Sequence, residues 1–563
     1  MIETRATLRR PRTLTRGRTK RLAAAVLALG LVALTSGLLV MSGQVTLRTS
    51  TGAAVSSGLN EVATVPANAD QLVTWLPDAW LRERVLEPAS RTRIAASYIR
   101  AWAAIGRFQS TGETPAVTDT FSGAARRAVL ELPRTGPSAT WDLRHSLELE
   151  FYALDGATVA FQDQGARIVR TVGAGESETV ILSQETYDVV MVLEDGFWRI
   201  RQLKRAPGSD DVTVSTTAAG ATTITGAART APLPIPAAQA TEYRPAGWAA
   251  LDPAELAADF TRLRALGFDT IRVPLPYGEL GGAEPTDDAL GAVTTLLEQA
   301  DAQGLRVALV LFDDFPDLTP AMWVGAGAHL ARIATAVRGQ PALALWDLAD
   351  RPDSRTTGPA SAAEIRAFLV HTGSALRDID PGTPQTISWA TSATAADPAM
   401  AGLVDGVTLH LTGNDDPADA IRSVRTAVPD RPVSLTVTGL DTDGGWGPLP
   451  RTESRQAADV ARVLQAGERA GLSRVSVAVF IDTETDAGGL LRLDASAKPA
   501  AALFAANADP AAPPGVLDYA RSKFWVLMTG LLAAAAGALL WVRRRRLPVR
   551  ARRSASAGEV SGE

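Results

Sequence analysis

The chain has 563 residues, 46% hydrophobic and 21% charged, with a formal net charge of −5. That is apolar material for about three packed domains and excludes a disordered chain. Cysteine is absent, which excludes disulfides, thiolate zinc sites and a cysteine nucleophile. The histidines His145, His329, His371 and His410 form no HExxH or HxH pair, so neither a metal centre nor another cofactor is expected.

In chain order, residues 1–21 form a basic tail with eight Arg/Lys, among them Arg9, Arg10, Lys20 and Arg21. Residues 22–41, LAAAVLALGLVALTSGLLVM, carry no charge and at ~1.5 Å per residue match a ~30 Å hydrocarbon core, which predicts a transmembrane helix. No clear A-x-A site follows, which favours retention over cleavage. Residues 42–75, rich in Ser, Thr, Ala and Gly, predict a linker.

Residues 76–207 predict an α+β domain. Helical periodicity through LRERVLEPASRTRIAASYIRAWAAIGRF precedes strand-like segments, LRHSLELEFYAL and ATVAFQDQGARIVRTV. The last pair, ETYDVVMVLEDGFWRIRQLKR, turns at Glu194-Asp195-Gly196. This ending resembles the NTF2-like (SnoaL-like) cone fold. The resemblance implies either a ligand pocket, with Asp142, Arg144 and His145 as possible lining, or a packing module. Residues 208–235 predict a second linker, part of it available as a first strand of the next domain.

From 236 to 508 the pattern becomes helix, strand, loop, repeated. FDTIRVPL, LRVALVLF, ALALWDL, PQTISWA, VDGVTLHL, RPVSLTVTG and SRVSVAVFI are near-continuous apolar strands, which indicates a parallel sheet covered by helices. Seven clear strands and one probable one fit a (β/α)8 TIM barrel. Gly267 and Gly304 stand at expected helix C-caps. Residues 509–523 predict a third linker. The run at 524–542, FWVLMTGLLAAAAGALLWV, with Trp525 and Trp541 near its ends, predicts a second transmembrane helix, and 543–563 a second basic tail. Positive flanks predict both termini cytoplasmic, making this a two-pass cell-membrane protein with residues 42–523 extracytoplasmic. That middle part holds 41 basic against 58 acidic residues, near −17, which argues against a nucleic-acid partner.

A barrel of this kind places its site at the C-terminal strand ends. Those ends carry Arg272, Asp313, Trp346, Asp350, Trp389, His410, Asp482 and Glu484. Rings and carboxylates on one rim suit sugars, which offer flat apolar faces and hydroxyls. The stretches GFDTIRVPL, GLRVALVLF, LALWDLADRP, VDGVTLHL, RPVSLTVTG and LLRLDASAKPAAALF resemble the cellulase and mannanase type of barrel glycoside hydrolase (clan A-like). The resemblance implies an acid/base glutamate on strand 4 within W-E-L-x-N-E-P and a nucleophile on strand 7 within P-V-x-x-T-E-x-G. Here the first frame reads Trp346-Asp347-Leu348-Ala349-Asp350-Arg351-Pro352 and the second Pro432-Val433-Ser434-Leu435-Thr436-Val437-Thr438-Gly439. Arg351 and Val437 therefore occupy the two catalytic positions.

Arg351 is expected to join Asp347, Asp350 and Asp353 in a salt-bridged rim. Arg272 is expected to pair with Asp313 or bind an acidic sugar. Trp346 and Trp389 are either barrel-top core or sugar platforms. Retaining hydrolysis needs two carboxyl groups ~5 Å apart, and neither arginine nor valine supplies one. The leading expectation is a pseudoenzyme that binds or positions a polysaccharide or oligosaccharide, accessory to its synthesis, export or sensing, with a membrane glycosyltransferase or other envelope protein as partner. The alternatives are an active glycosidase with relocated carboxylates, Asp350 with Asp441, Asp482 or Glu484, and a protein-docking component of a membrane complex.

Overall fold

The computed structural model describes residues 72–78, 84–504 and 523–545, apart from 137, 174–177, 208–209, 218–220, 228–230, 250, 356–357, 413–414, 443–451, 473 and 484–485. The first hydrophobic run, 22–41, lies outside the described residues. The second forms a helix, Phe524–Arg545, but no helix among the described residues is long and apolar enough to cross a membrane. The expected two-pass topology, with its cytoplasmic termini and extracytoplasmic middle, is thereby overturned.

The first domain opens with β1 (Val73–Trp75), inside the segment expected to be a linker, and α1 (Pro88–Thr111). The predicted helix starts later than its periodicity suggested because Pro88 has no N–H to donate and is suited to a first turn. After two short helices, α2 (Pro115–Thr120) and α3 (Gly123–Leu130), come β2 (Ser138–Tyr152), β3 (Thr158–Val172), β4 (Thr179–Glu194) and β5 (Phe197–Arg205). Asp195 and Gly196 both take positive φ, 53° and 82°, as a two-residue hairpin turn requires.

The second expected linker contains β6 (Asp210–Thr216) and β7 (Thr222–Thr225), which extend the same sheet in the order β1-β2-β3-β4-β6-β7, with β5 on the far half of β4. One face of this sheet packs on α1 through Ile94, Tyr98, Ile99, Trp102, Ile105 and Phe108, the i, i+4 stripe of an amphipathic helix. From its other face, Leu143, Val169, Val180 and Val214 join the hydrophobic core of the second domain.

That second domain is a closed barrel of eight parallel strands. The strands are β8 (Ala238–Glu242), β9 (Thr270–Pro276), β10 (Arg306–Asp313), β11 (Leu343–Asp350), β12 (Gln385–Trp389), β13 (Gly406–Thr412), β14 (Val433–Thr438) and β15 (Arg474–Val477), and β15 pairs with β8 to close the ring. The probable eighth strand is thus β8, first in the barrel. Helices α4 (Pro253–Ala265), α5 (Asp287–Ala302), α6 (Trp323–Val337), α7 (Ala362–Ile379), α8 (Pro417–Ala427) and α9 (Glu453–Arg469) wrap the strands. Gly267 ends α4 at φ 88°, and a side chain there would meet Phe504 O at 2.7 Å, so both conformation and space demand glycine. The first domain rests on α6 and α7, with Arg167 and Asp378 3.5 Å apart across the junction.

Candidate functional site

The barrel mouth is built around Arg272 of β9, whose side chain is 7% exposed. Its Nη1 donates to Glu242 Oε2 at the end of β8, its Nη2 to Asp350 Oδ1 at 2.6 Å, and its Nε and Nη2 to Asp347 Oδ2 at 3.2 and 3.0 Å. Ser388 of β12 also donates to Asp347 Oδ2. Asp347 and Asp350 both reach the interior because the β11–β12 register slips between them. A bulge of this kind re-aims a side chain that alternation would send outward. A second guanidinium, Arg244, donates to Glu242 Oε1 at 2.9 Å and Asp313 Oδ2 at 2.7 Å. Arg351, φ 45°, donates to Asp350 Oδ2 at 2.9 Å. His410 of β13 places Nε2 3.3 Å from Asp350 Oδ1.

The charges in this network set one another. Burial alone raises the Asp350 carboxyl, but the positive charges of Arg272 foremost, then of protonated His410 and of Arg351, outweigh it and hold it well below the usual carboxylate range. Burial drives His410 down to about 3, with Arg272 and Arg351 adding to the fall and Asp350 opposing it. His410 is therefore neutral near pH 7 and adds no charge beside Asp350. Burial pushes Glu242 and Asp347 up, against the pull of Arg272. Both Glu242 oxygens accept from arginines, and a guanidinium has no lone pair with which to accept a proton in return.

The expected site residues divide into two groups. Arg272, Asp313, Asp350, Arg351 and His410 come together in the mouth. Arg272, however, pairs with Glu242, Asp347 and Asp350, while Asp313 goes to Arg244. Trp346 is 0% exposed and its Nε1 donates to Asp380 at 2.9 Å. The indole lies against the helix layer, where no sugar can stack. Trp389 is also buried in the hydrophobic core. Asp353 leaves the expected rim to receive Ala390 N and Thr391 N at 2.8 and 3.1 Å. Asp482 is held by the buried Lys498 Nζ at 2.7 Å and by Gly489 N at 2.8 Å. Glu484 lies outside the described residues.

Val437 is buried among apolar side chains, whereas Thr436 bonds to Ser476 at 2.7 Å and both line the barrel interior. Side chains alternate along a strand, so Thr438 shares the inward face of Thr436 and Val437 points outward. The residue at the mouth end of β14 is therefore Thr438. Neither position offers a carboxylate. Glu242 and Arg244 went unnoticed in the sequence because β8 was not resolved as a strand there. The described residues contain no group of three or more His, Cys, Asp or Glu able to hold a metal ion.

The first domain holds a second polar cluster. His145 Nδ1 and Asp163 Oδ2 lie 2.6 Å apart, Tyr98 OH donates to Asp163 Oδ2 at 2.9 Å, and Ser146 N donates to Asp163 Oδ1 at 3.0 Å. Asp142 Oδ1 stands 3.8 Å from His145 Nε2. Register shifts in the β2–β3 and β3–β4 pairings flank these residues.

No protein-family model matches the chain, and no curated protein matches it. Solved structures with similarity include an exo-β-1,4-mannosidase from Opitutaceae bacterium strain TAV5, at 20% identity and TM-score 0.40, covering 51% of this chain and 59% of that one. Another is GH5_18 from Streptomyces cattleya in complex with GlcNAc, at 16% identity and TM-score 0.42, covering 48% and 79%. A third is a β-D-glucuronidase of Dictyoglomus thermophilum, at 14% identity and TM-score 0.37, covering 65% and 68%. The barrel assignment rests on the strand pairing and not on these likenesses.

Proposed function

We propose that the barrel is a glycoside-hydrolase-type scaffold that binds a polysaccharide or oligosaccharide at its mouth without cleaving it, and that the first domain is an NTF2-like packing module. One observation carries the reading. Arg272, Arg244 and Arg351 engage Glu242, Asp313, Asp347 and Asp350 where a hydrolase keeps a proton donor and a nucleophile. A general acid needs a raised pKa and a free proton. Asp350 is shifted the opposite way, and Glu242 has both oxygens occupied. Locked guanidinium–carboxylate pairs instead present fixed donors and acceptors, which suit hydroxyl recognition. The sugar assignment itself rests on the six family-like stretches of sequence.

The test is titration of the full-length chain against bacterial-envelope and plant oligosaccharides, with product analysis of each mixture. Binding weakened at least tenfold by Arg351→Ala, with the oligosaccharide recovered intact, supports the reading. Silence at millimolar oligosaccharide removes the binding half of it. Released sugar would restore the alternative of relocated carboxylates.

A further inference from the structure

A (β/α)8 barrel ordinarily fills its axis with branched apolar side chains. Here a cavity of about 10 Å³ lies on the axis, lined among others by Arg272, Asp347, Thr386, Thr408, Arg474 and Ser476. Two buried polar atoms around it have no partner among the described residues, Asp347 Oδ1 and Arg474 Nε. Asp347 is 2% exposed and Arg474 6%. The other Asp347 oxygen is occupied by Arg272 and Ser388. Arg474 opens β15, at the end of the barrel opposite the mouth. Burial, first of all, lowers its pKa to about 10, while Asp347 and Asp269 oppose the fall.

The chemistry of the lining selects the occupant. Two guanidinium groups disfavour a cation, and the carboxylate disfavours an anion. A volume of roughly 10–15 Å³ suits one water, which needs two to four polar partners. A water can donate to Asp347 Oδ1 and accept from Arg474 Nε–H, with threonine and serine hydroxyls completing its shell. We propose that the barrel axis binds a single structural water at this point, and that through it Arg474 is a positioning residue that holds Asp347, and hence Arg272, from below. The mouth network is then the upper end of a polar column reaching the barrel floor.

A crystal structure of the full chain, with ordered solvent resolved, tests this directly. The expected result is one solvent peak within about 3.2 Å of both Arg474 Nε and Asp347 Oδ1. An empty cavity, or a guanidinium that has swung to contact Asp347 directly, overturns the proposal. Oxygen-17 relaxation dispersion supplies a second measurement. Arg474→Met should lose one long-lived internal water relative to the native chain, and an unchanged count also overturns it. Where that variant fails to fold, the solvent peak in the native chain decides alone.

Discussion

His145 and Asp163 face each other at 2.6 Å with both side chains 0% exposed, and this pair gives the first domain a pH-dependent core. Burial by itself lowers the His145 pKa, but the negative charges of Asp142 and Asp163 and the Asp163 hydrogen bond reverse that and lift it to about 9 from 6.5. The folded chain therefore binds this proton more tightly than the unfolded chain. The stabilisation is complete below pH 6.5 and is lost as pH rises through about 9. Denaturant titrations at pH 6, 7.5 and 9.5 should show a fall on the order of 3 kcal/mol across that window. His145→Gln should flatten the profile, and a native profile that is already flat would refute the assignment.

The outward direction of Val437 leads to a contrast between neighbours. Val437→Glu forces a carboxylate into the apolar layer between β14 and the helices, and should cost about 4 kcal/mol or abolish folding. Thr438→Glu places the same group at the half-buried mouth and should cost no more than about 1 kcal/mol. Thermal unfolding of both variants decides the register.

Removing Arg272 would leave Glu242, Asp347 and Asp350 facing one another without their shared cation. Arg272→Met should destabilise the chain by about 3–5 kcal/mol at pH 7.5. The loss should shrink at pH 4.5, where protonation relieves the stranded carboxylates. Equal losses at the two pH values would show that packing, not charge, dominates there.

Trp346→Phe removes the indole N–H that Asp380 accepts and should cost about 1–2 kcal/mol in stability. Because the ring lies outside the barrel, oligosaccharide affinity should stay within twofold. Calorimetry on both properties separates the two roles.

The barrel was legible wherever a segment following a helical stretch was apolar nearly throughout, which covers seven strands. β8 is less clear in the sequence because three of the five residues in Ala238–Glu242 are polar. β6 and β7 read as a linker in the sequence because their Thr, Ser and Asp residues suit a loop as well as an edge of a sheet. At the site, Arg272, Asp350 and His410 stood in recognisable frames. Which carboxylate each arginine selects is a matter of three-dimensional reach, and no sequence spacing sets it. The inward position on β14 has a signal in the sequence. In Ser434-Leu435-Thr436-Val437-Thr438 the hydroxyls alternate with apolar groups, and that period of two places Thr438 on the same face as Ser434 and Thr436.

The sheet gripped between α1 and the barrel helices also governs how this chain can be divided. A cut placed just before residue 210 would strip β6 and β7 from the piece that needs them. It would also leave Leu143, Val169 and Val180 on one fragment, and the apolar bed that received them on the other. Neither fragment would be self-sufficient, so the two lobes should melt together as one cooperative body.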